Sequence, residues 1–255
     1  MPEVRAGDAL HDLIAAAAPA DLLAGDVLVV AHKVVSKAEG RTRRLDEIEP
    51  GERARGLAAS DAARGKDPRL VQAILDESAA ILRSGHGVLV CQTHHGFVCA
   101  NAGVDQSNTA DPGELLLLPT DPDRSARELR EGIGARRGVS PAVVVADSFG
   151  RAWRLGQVDV AIGAAGLQPL DDWRGRRDAR GRELSATVIA VADAVAAAAD
   201  LARAKDSGAP VVLIRGLERF VSAEDGPGAA ELRRPAGEDL FRYACRRPRN
   251  GPVTS

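Results

Sequence analysis

The 255-residue sequence predicts a mixed α/β (α+β) protein with a sheet-rich core and flanking helices. Three observations carry this expectation. Short runs rich in β-branched residues recur at 27–31, 88–92, 142–146 and 211–214, each of strand length. Two Asp-Pro pairs, at 67–68 and 121–122, open stretches of helical character, with aspartate as N-cap and proline in the first turn. No internal repeat and no low-complexity linker interrupts the chain, so one domain is expected over 1–245, followed by a loose tail at 246–255.

Taken in order, Asp8 is placed to cap a helix through Leu10, Leu13 and Ile14 that Pro19 closes. Gly25-Asp26 is a turn, and 27–31 is a strand. The residues that follow, His32 to Arg41, set Lys33 and Lys37 four apart. On a helical turn they share a face; in an extended segment even spacing keeps them on one side. Either way both ammonium groups reach one anion, the plainer reading being a solvated charged turn. From 41 to 66 the chain is charged, a loop with one polar helix. After Asp67, the spacing of Leu70, Val71, Ile74, Leu75, Ser78, Ile81 and Leu82 predicts one helix, ended by Gly85-His86-Gly87. Segments 88–92 and 97–100 form a hairpin around Thr93-His94-His95-Gly96. Residues 115–118 are a short buried run, and a charged helix follows Asp121-Pro122 to about Arg137. A strand at 142–146 empties into Asp147. Residues 171–182 are a polar, glycine-rich loop; 184–204 are mostly helix after a strand; 211–214 are a strand. Beyond Gly226 the chain is loose apart from a short stretch at Asp239.

Bulk properties exclude several function classes. The net charge is −2 and the pI about 6.2, so no general attraction to nucleic acid is implied. No apolar stretch approaches the roughly 20 residues of a membrane span. Glu3, Asp8 and Asp12 are wrong for a signal peptide. Three cysteines argue against a disulfide framework and for a reducing, cytoplasmic setting. Of 34 basic residues only Lys33, Lys37, Lys66 and Lys205 are lysine. A lysine kept in so arginine-rich a chain suits a compact ammonium against phosphate.

The chemistry concentrates in two segments. After an apolar run, Asn101-Ala-Gly-Val-Asp-Gln-Ser-Asn108 presents Asp105, Gln106, Ser107 and Asn108 on a turn. Carboxylate, amide and hydroxyl oxygens together suit a hard cation and the phosphates it carries. Asp147-Ser148 has the same grammar, so two strand ends could share divalent metal. Arg151 and Arg154 flank Trp153 and form a clamp for an anionic or planar ligand, against the alternative of a core or interface tryptophan with surface arginines. Cys91, His94, His95 and Cys99 resemble a zinc set, but the spacing is unlike a structural site and buried cysteine behaves as a small hydrophobe. His95 at the hairpin tip is either a substrate contact or a plain turn residue. No Walker loop, Rossmann fingerprint or nucleophile elbow is present. The set fits metal-assisted phosphoryl transfer.

Several long motifs carry a family resemblance: 33–41 (KVVSKAEGR), 95–108 (HGFVCANAGVDQSN), 147–154 (DSFGRAWR), 156–167 (GQVDVAIGAAGL) and 191–193 (VAD). With these motifs in order along nearly the whole chain, it resembles the coenzyme F420:L-glutamate ligase family, the gamma-glutamyl ligases of the deazaflavin coenzyme. The resemblance implies GTP as co-substrate, Mg2+ or Mn2+, and K+ as a further cation. It implies activation of the precursor's terminal carboxylate as an acyl phosphate and attack by the amine of L-glutamate. Further gamma-linked glutamates can follow, and an intertwined homodimer is implied. Asp105, Asp147 and Ser148 would be metal ligands. Lys37, Asn108 and the Lys205-Asp206 segment would contact GTP, and Lys37, Asp105 and Asp147 form the expected catalytic set. Arg151 and Arg154, with His95, are assigned to the acidic substrate.

Three departures accompany the resemblance. Pro2, Glu3 and Val4 fall where relatives help hold the nucleotide; relatives usually have a strand and Gly-Leu-Pro before this segment, so that strand is expected either to be absent or to precede a start placed late. His32 replaces the usual Ser or Thr before the first motif lysine, so nucleotide affinity or choice is expected to differ. The flavin-binding domain fused to many bacterial relatives is not expected, nor is its reductase activity. Two alternatives stand beside the ligase: a catalytically impaired GTP- and metal-binding relative, and a zinc-stabilised interaction module.

Overall fold

The computed structural model describes residues 1–107, 109, 111–204, 206–239 and 241. The helices and strands in order are α1 (Leu10–Ala17), β1 (Val27–Ala31), α2 (His32–Ala38), β2 (Thr42–Arg44), α3 (Glu52–Ala58), α4 (Pro68–Asp76), β3 (Ser78–Gly85), β4 (Val88–Thr93), β5 (Val98–Ala100) and β6 (Glu114–Leu116). They continue with α5 (Pro122–Arg137), β7 (Ala142–Arg151), β8 (Arg154–Ala165), β9 (Leu170–Asp172), β10 (Val188–Ala190), α6 (Val191–Ala202) and β11 (Val211–Ile214). The mixed α/β class is as expected. Two compact units result: Met1–Glu47 with Val104–Leu232, and Ile48–Gly103 with the described residues from Arg233. Among the described residues, no helix is long and apolar enough to cross a membrane.

The first unit is built on a sheet of order β11-β1-β7-β8. β1 and β7 run parallel, and the other pairs are antiparallel. Val27, Val29, Val144 and Ala146 face α6, whose Val191, Val195 and Ala199 complete that core. Because Leu28, Val30, Val143 and Val145 are buried too, both faces of the central strands are covered, which explains their unbroken apolar runs. Helix α5 also packs against β7 and β8. It comes so close that a side chain on Gly163 would strike the Pro122 carbonyl. Its ends match the sequence: Asp121 accepts from Arg124 N at 3.0 Å, and Gly138 closes it with φ of 71°.

Four expectations need correction. Asp8 does not cap α1; the cap position is Ala9, and the Asp8 carboxylate instead accepts from Arg5 N at 2.8 Å, one turn upstream. The helix from Asp67 stops at Asp76, and 78–85 is strand β3. Its apolar residues fit either period over so short a stretch; pairing with β4 decides for strand. The turn between them is His86-Gly87, with φ of 53° and 76°, the two-residue geometry that matches strand twist. β7 does not end before Asp147 but runs on to Arg151 and returns as β8. Asp171 and Asp172 belong to strand β9, not to the loop that follows them.

The second unit holds α3, α4 and the antiparallel sheet β3-β4-β5. Cys91 and Cys99 are buried thiols outside any disulfide, opposite one another in the β4–β5 register. Burial pushes the Cys91 thiol up, as for a small hydrophobe. His94 Nε2 donates to the Asp76 carbonyl at 3.0 Å. Among the described residues no group of three or more His, Cys, Asp or Glu could hold a metal, so the zinc set is not assembled. The turn at Asn101-Ala102-Gly103 has φ of 53°, 54° and 73°. Only the third is glycine; for the first two this conformation costs about 1–3 kcal/mol each.

Candidate active site

The parallel pairing of β1 and β7 sets Ala31 beside Ala146. The next residues, His32 and Asp147, therefore emerge side by side at the carboxyl end of the pair, where open sheets collect ligands. His32 opens α2 and is buried. Its Nε2 lies 3.1 Å from Asp147 Oδ1, and its Nδ1 lies 3.4 Å from Ser36 Oγ, one turn further on. The carboxylate requires the proton on Nε2. Ser148 N also donates to Asp147 Oδ1, at 2.8 Å. Both bonds fall on one oxygen of Asp147, Oδ1.

Lys33, the very next residue, holds the other aspartate. Its Nζ lies 2.6 Å from Asp105 Oδ2 and 2.5 Å from Ser107 Oγ. Asp105 Oδ1 accepts from Ser107 N at 2.8 Å, an Asx-turn that shapes the loop. The backbone of Asp105 exchanges two bonds with Leu116, which fastens the loop to β6. Burial raises the Asp105 carboxyl, but Lys33 and the two Ser107 donors outweigh it and leave it below the ordinary range. Consecutive residues of α2 thus tether Asp147 and Asp105.

Ser148 lies across from Asp159 in the β7–β8 register, and its Oγ donates to Asp159 Oδ1 at 2.5 Å. Lys37 Nζ is 3.9 Å from Glu3 Oε1. Gly7 N donates to the Ala38 carbonyl at 2.9 Å, so the segment after Pro2, Glu3 and Val4 is fastened to α2. Pro2 and Glu3 are exposed, whereas Val4 is buried. Asp206 is exposed; Lys205 and Asn108 lie outside the described residues. Arg151 and Arg154 flank the tip of the β7–β8 hairpin, and both are exposed. Trp153 between them is 76% exposed, so it is not a core residue. His95 belongs to the second unit, where its ring stacks on Phe97 at 5.7 Å.

Three pairs among the expected groups therefore lie along α2: His32 with Asp147, Lys33 with Asp105, and, in its last turn, Lys37 with Glu3. Reading the sequence missed the partner role of Lys33, the paired His32 and the buried Asp159. The last has a signal, an acid inside the apolar alternation of 156–163. The oxygen donors fit Mg2+ or Mn2+. The Asp105 and Asp147 side chains are 32% and 15% exposed, accessible yet backed by structure. Such a cation takes one or two carboxylates and completes its shell with water and substrate phosphate, so a preassembled cage is not needed.

Residues 1–216 match the family described as F420-0:Gamma-glutamyl ligase. The chain is 48% identical over 242 residues to the coenzyme F420:L-glutamate ligase of Methanopyrus kandleri, covering 94% of each protein. It is 47% identical over 246 residues to that of Methanothermobacter thermautotrophicus, covering 95% of this chain and 96% of the relative. With that of Haloarcula marismortui the identity is 45% over 251 residues, with 96% and 94% covered. Matched along its length by family and relatives alike, the chain belongs to the F420-0:gamma-glutamyl ligase family, a family of ligases.

Proposed function

We propose that the chain joins L-glutamate to the coenzyme F420 precursor at the expense of GTP, through an acyl phosphate. The observation that supports this best is the pair of aspartates at the β1–β7 end, each tied to one of two consecutive residues, His32 and Lys33. A carboxylate is a poor electrophile, and phosphorylation supplies the leaving group it lacks. The precursor's carboxylate oxygen attacks the γ-phosphorus, and the bond to the GDP oxygen breaks. The glutamate amine then attacks the acyl carbon, phosphate leaves, and the amine gives up a proton. A further turn on the new γ-carboxylate lengthens the product.

The residues divide the work. Asp105, Asp147 and Ser148 would hold Mg2+ or Mn2+, which when bound offsets the charge on the phosphate oxygens. Lys33 and Lys37 carry compact positive charge toward the same phosphates, Lys33 by exchanging Asp105 for phosphate oxygen. His32 fixes the orientation of Asp147. Glu3 and Val4 beside α2, Asn108 and Lys205-Asp206 are proposed nucleotide contacts. Arg151 and Arg154 grip the acidic substrate, and His95 is kept as a substrate contact. A cytoplasmic homodimer and K+ as a further cation belong to the same proposal. The impaired-relative alternative is not favoured: His32, which raised it together with the short N-terminal segment, holds Asp147.

The test is phosphate release from GTP with precursor and L-glutamate each omitted in turn, and the product weighed by mass spectrometry. Release that needs both, with product heavier by glutamate residues, is expected. Release that needs neither, or GTP binding without release, sinks the proposal.

A further inference from the structure

Asp159 has no role in the chemistry above, yet it is an acid only 2% exposed beside a proposed metal donor. Its two oxygens face different partners. Oδ1 accepts from the Ser148 hydroxyl at 2.5 Å, the short distance of a charge-assisted bond. Oδ2 is gripped by Nη2 of Arg203, the residue that ends α6. Arg203 Nη1 reaches on to the Pro210 carbonyl at 3.2 Å. A carboxylate so deeply buried is costly unless paired, and Arg203 supplies the pair.

A serine hydroxyl has one proton and two lone pairs. With its proton given to Asp159, Ser148 Oγ turns lone pairs toward whatever approaches, which is what a hard cation requires. We infer that Asp159 is a positioning residue: through Ser148 Oγ it aims a lone pair at a divalent cation, and Arg203 holds Asp159 in that orientation. The inference rests on the metal reading proposed above. Exchange for asparagine reverses the bond. The amide oxygen is drawn to Arg203, its NH2 faces Ser148, and the serine must accept, so its proton points at the cation.

The experiment is a Mn2+ titration of the full chain, free Mn2+ being followed by its EPR signal. Asp159→Asn is compared with the parent, and again in a Ser148→Ala background. Metal affinity in Asp159→Asn is expected to fall by about 10- to 100-fold, the usual effect of losing a group that orients a metal ligand. In the Ser148→Ala background the same exchange is expected to add almost nothing, since the group it acts through is gone. Equal loss in both backgrounds means that Asp159 only supports the fold and overturns the inference, as does parental affinity in Asp159→Asn. Should Asp159→Asn fail to fold by its melting curve, Arg203→Lys keeps the charge, removes the fork, and is read by the same pair of backgrounds. A parent chain that binds no Mn2+ overturns the metal reading, and this inference with it; a parent that binds separates the two.

Discussion

The inner and outer halves of the β7–β8 hairpin share one ladder and differ in their surroundings. The inner half, from Ala142 to Ala146 with Ala164 and Ala165 opposite, is buried on both faces. The outer half runs into solvent and ends in Arg151, Trp153 and Arg154, with Leu155 95% exposed. Asp147, Ser148 and Asp159 sit at the boundary, where the burial changes. Close packing behind them sets their direction. The outer half has no such backing beyond the bond from Arg151 to the Leu155 carbonyl at 2.6 Å, so in the proposed function its arginines would act through charge and reach. Chemistry at the boundary and recognition at the tip should therefore respond differently to substitution.

The largest effect is expected at the boundary. Asp147→Asn should reduce glutamate-dependent phosphate release by about 10²- to 10³-fold, the loss of several kcal/mol of metal-borne stabilisation. The melting temperature should barely move, since the bonds from His32 and Ser148 N need only an oxygen acceptor. Steady-state rates beside a thermal melt decide; full activity would take the site away from the boundary.

At the tip, the double exchange Arg151→Ala with Arg154→Ala should raise the Michaelis constant for precursor or glutamate by about tenfold, as expected for a lost charge-assisted contact. The constant for GTP and the melting temperature should stay as they are, because both side chains are exposed. An unchanged profile for every substrate removes the clamp and leaves the tip without a role in recognition.

The smallest effect is a matter of pH and belongs to the inner half. Asp193, at the start of α6, accepts from Ala161 N on β8 at 2.9 Å. Burial pushes its carboxyl above the ordinary 3.8, and the bond from Ala161 only partly offsets this. A carboxyl raised in the folded state favours folding below its unfolded value and loses that contribution as pH climbs through the raised value. At pH 7 the charged form is therefore a burden. Asp193→Asn keeps an oxygen for Ala161 and should melt slightly higher than the parent at pH 7, with the gain fading as pH falls toward 3.8. Melts at the two pH values check it, and a lower melting temperature at pH 7 would contradict the account.

Local features with strong end signals were legible to the residue. β1 and β11 lie where β-branched runs place them, and α5 begins at Pro122 and ends at Arg137 because Asp121, Pro122 and Gly138 act within a few positions of its ends. The loop carrying Asp105 and the strand carrying Asp147 were also found, as chemically loaded segments beside apolar runs. Ser78–Gly85 was misread, because over so few residues its apolar spacing satisfies a helix or a strand, and only β4 chooses. The extension of β7 past Asp147 was missed for the same reason, since residues 148–151 owe their strand form to β8.

By itself, then, the sequence determined the class of the fold, both ends of α5, the strand positions with strong local preference, and the two acidic segments. Those depend on neighbours a few residues away. Only the tertiary structure decided which acid meets which partner: Lys33 with Asp105, and Arg203 with Asp159 across 44 positions. Such pairs depend on the register of strands and the direction in which helices leave them. That is set by the burial of whole faces, which no local pattern contains.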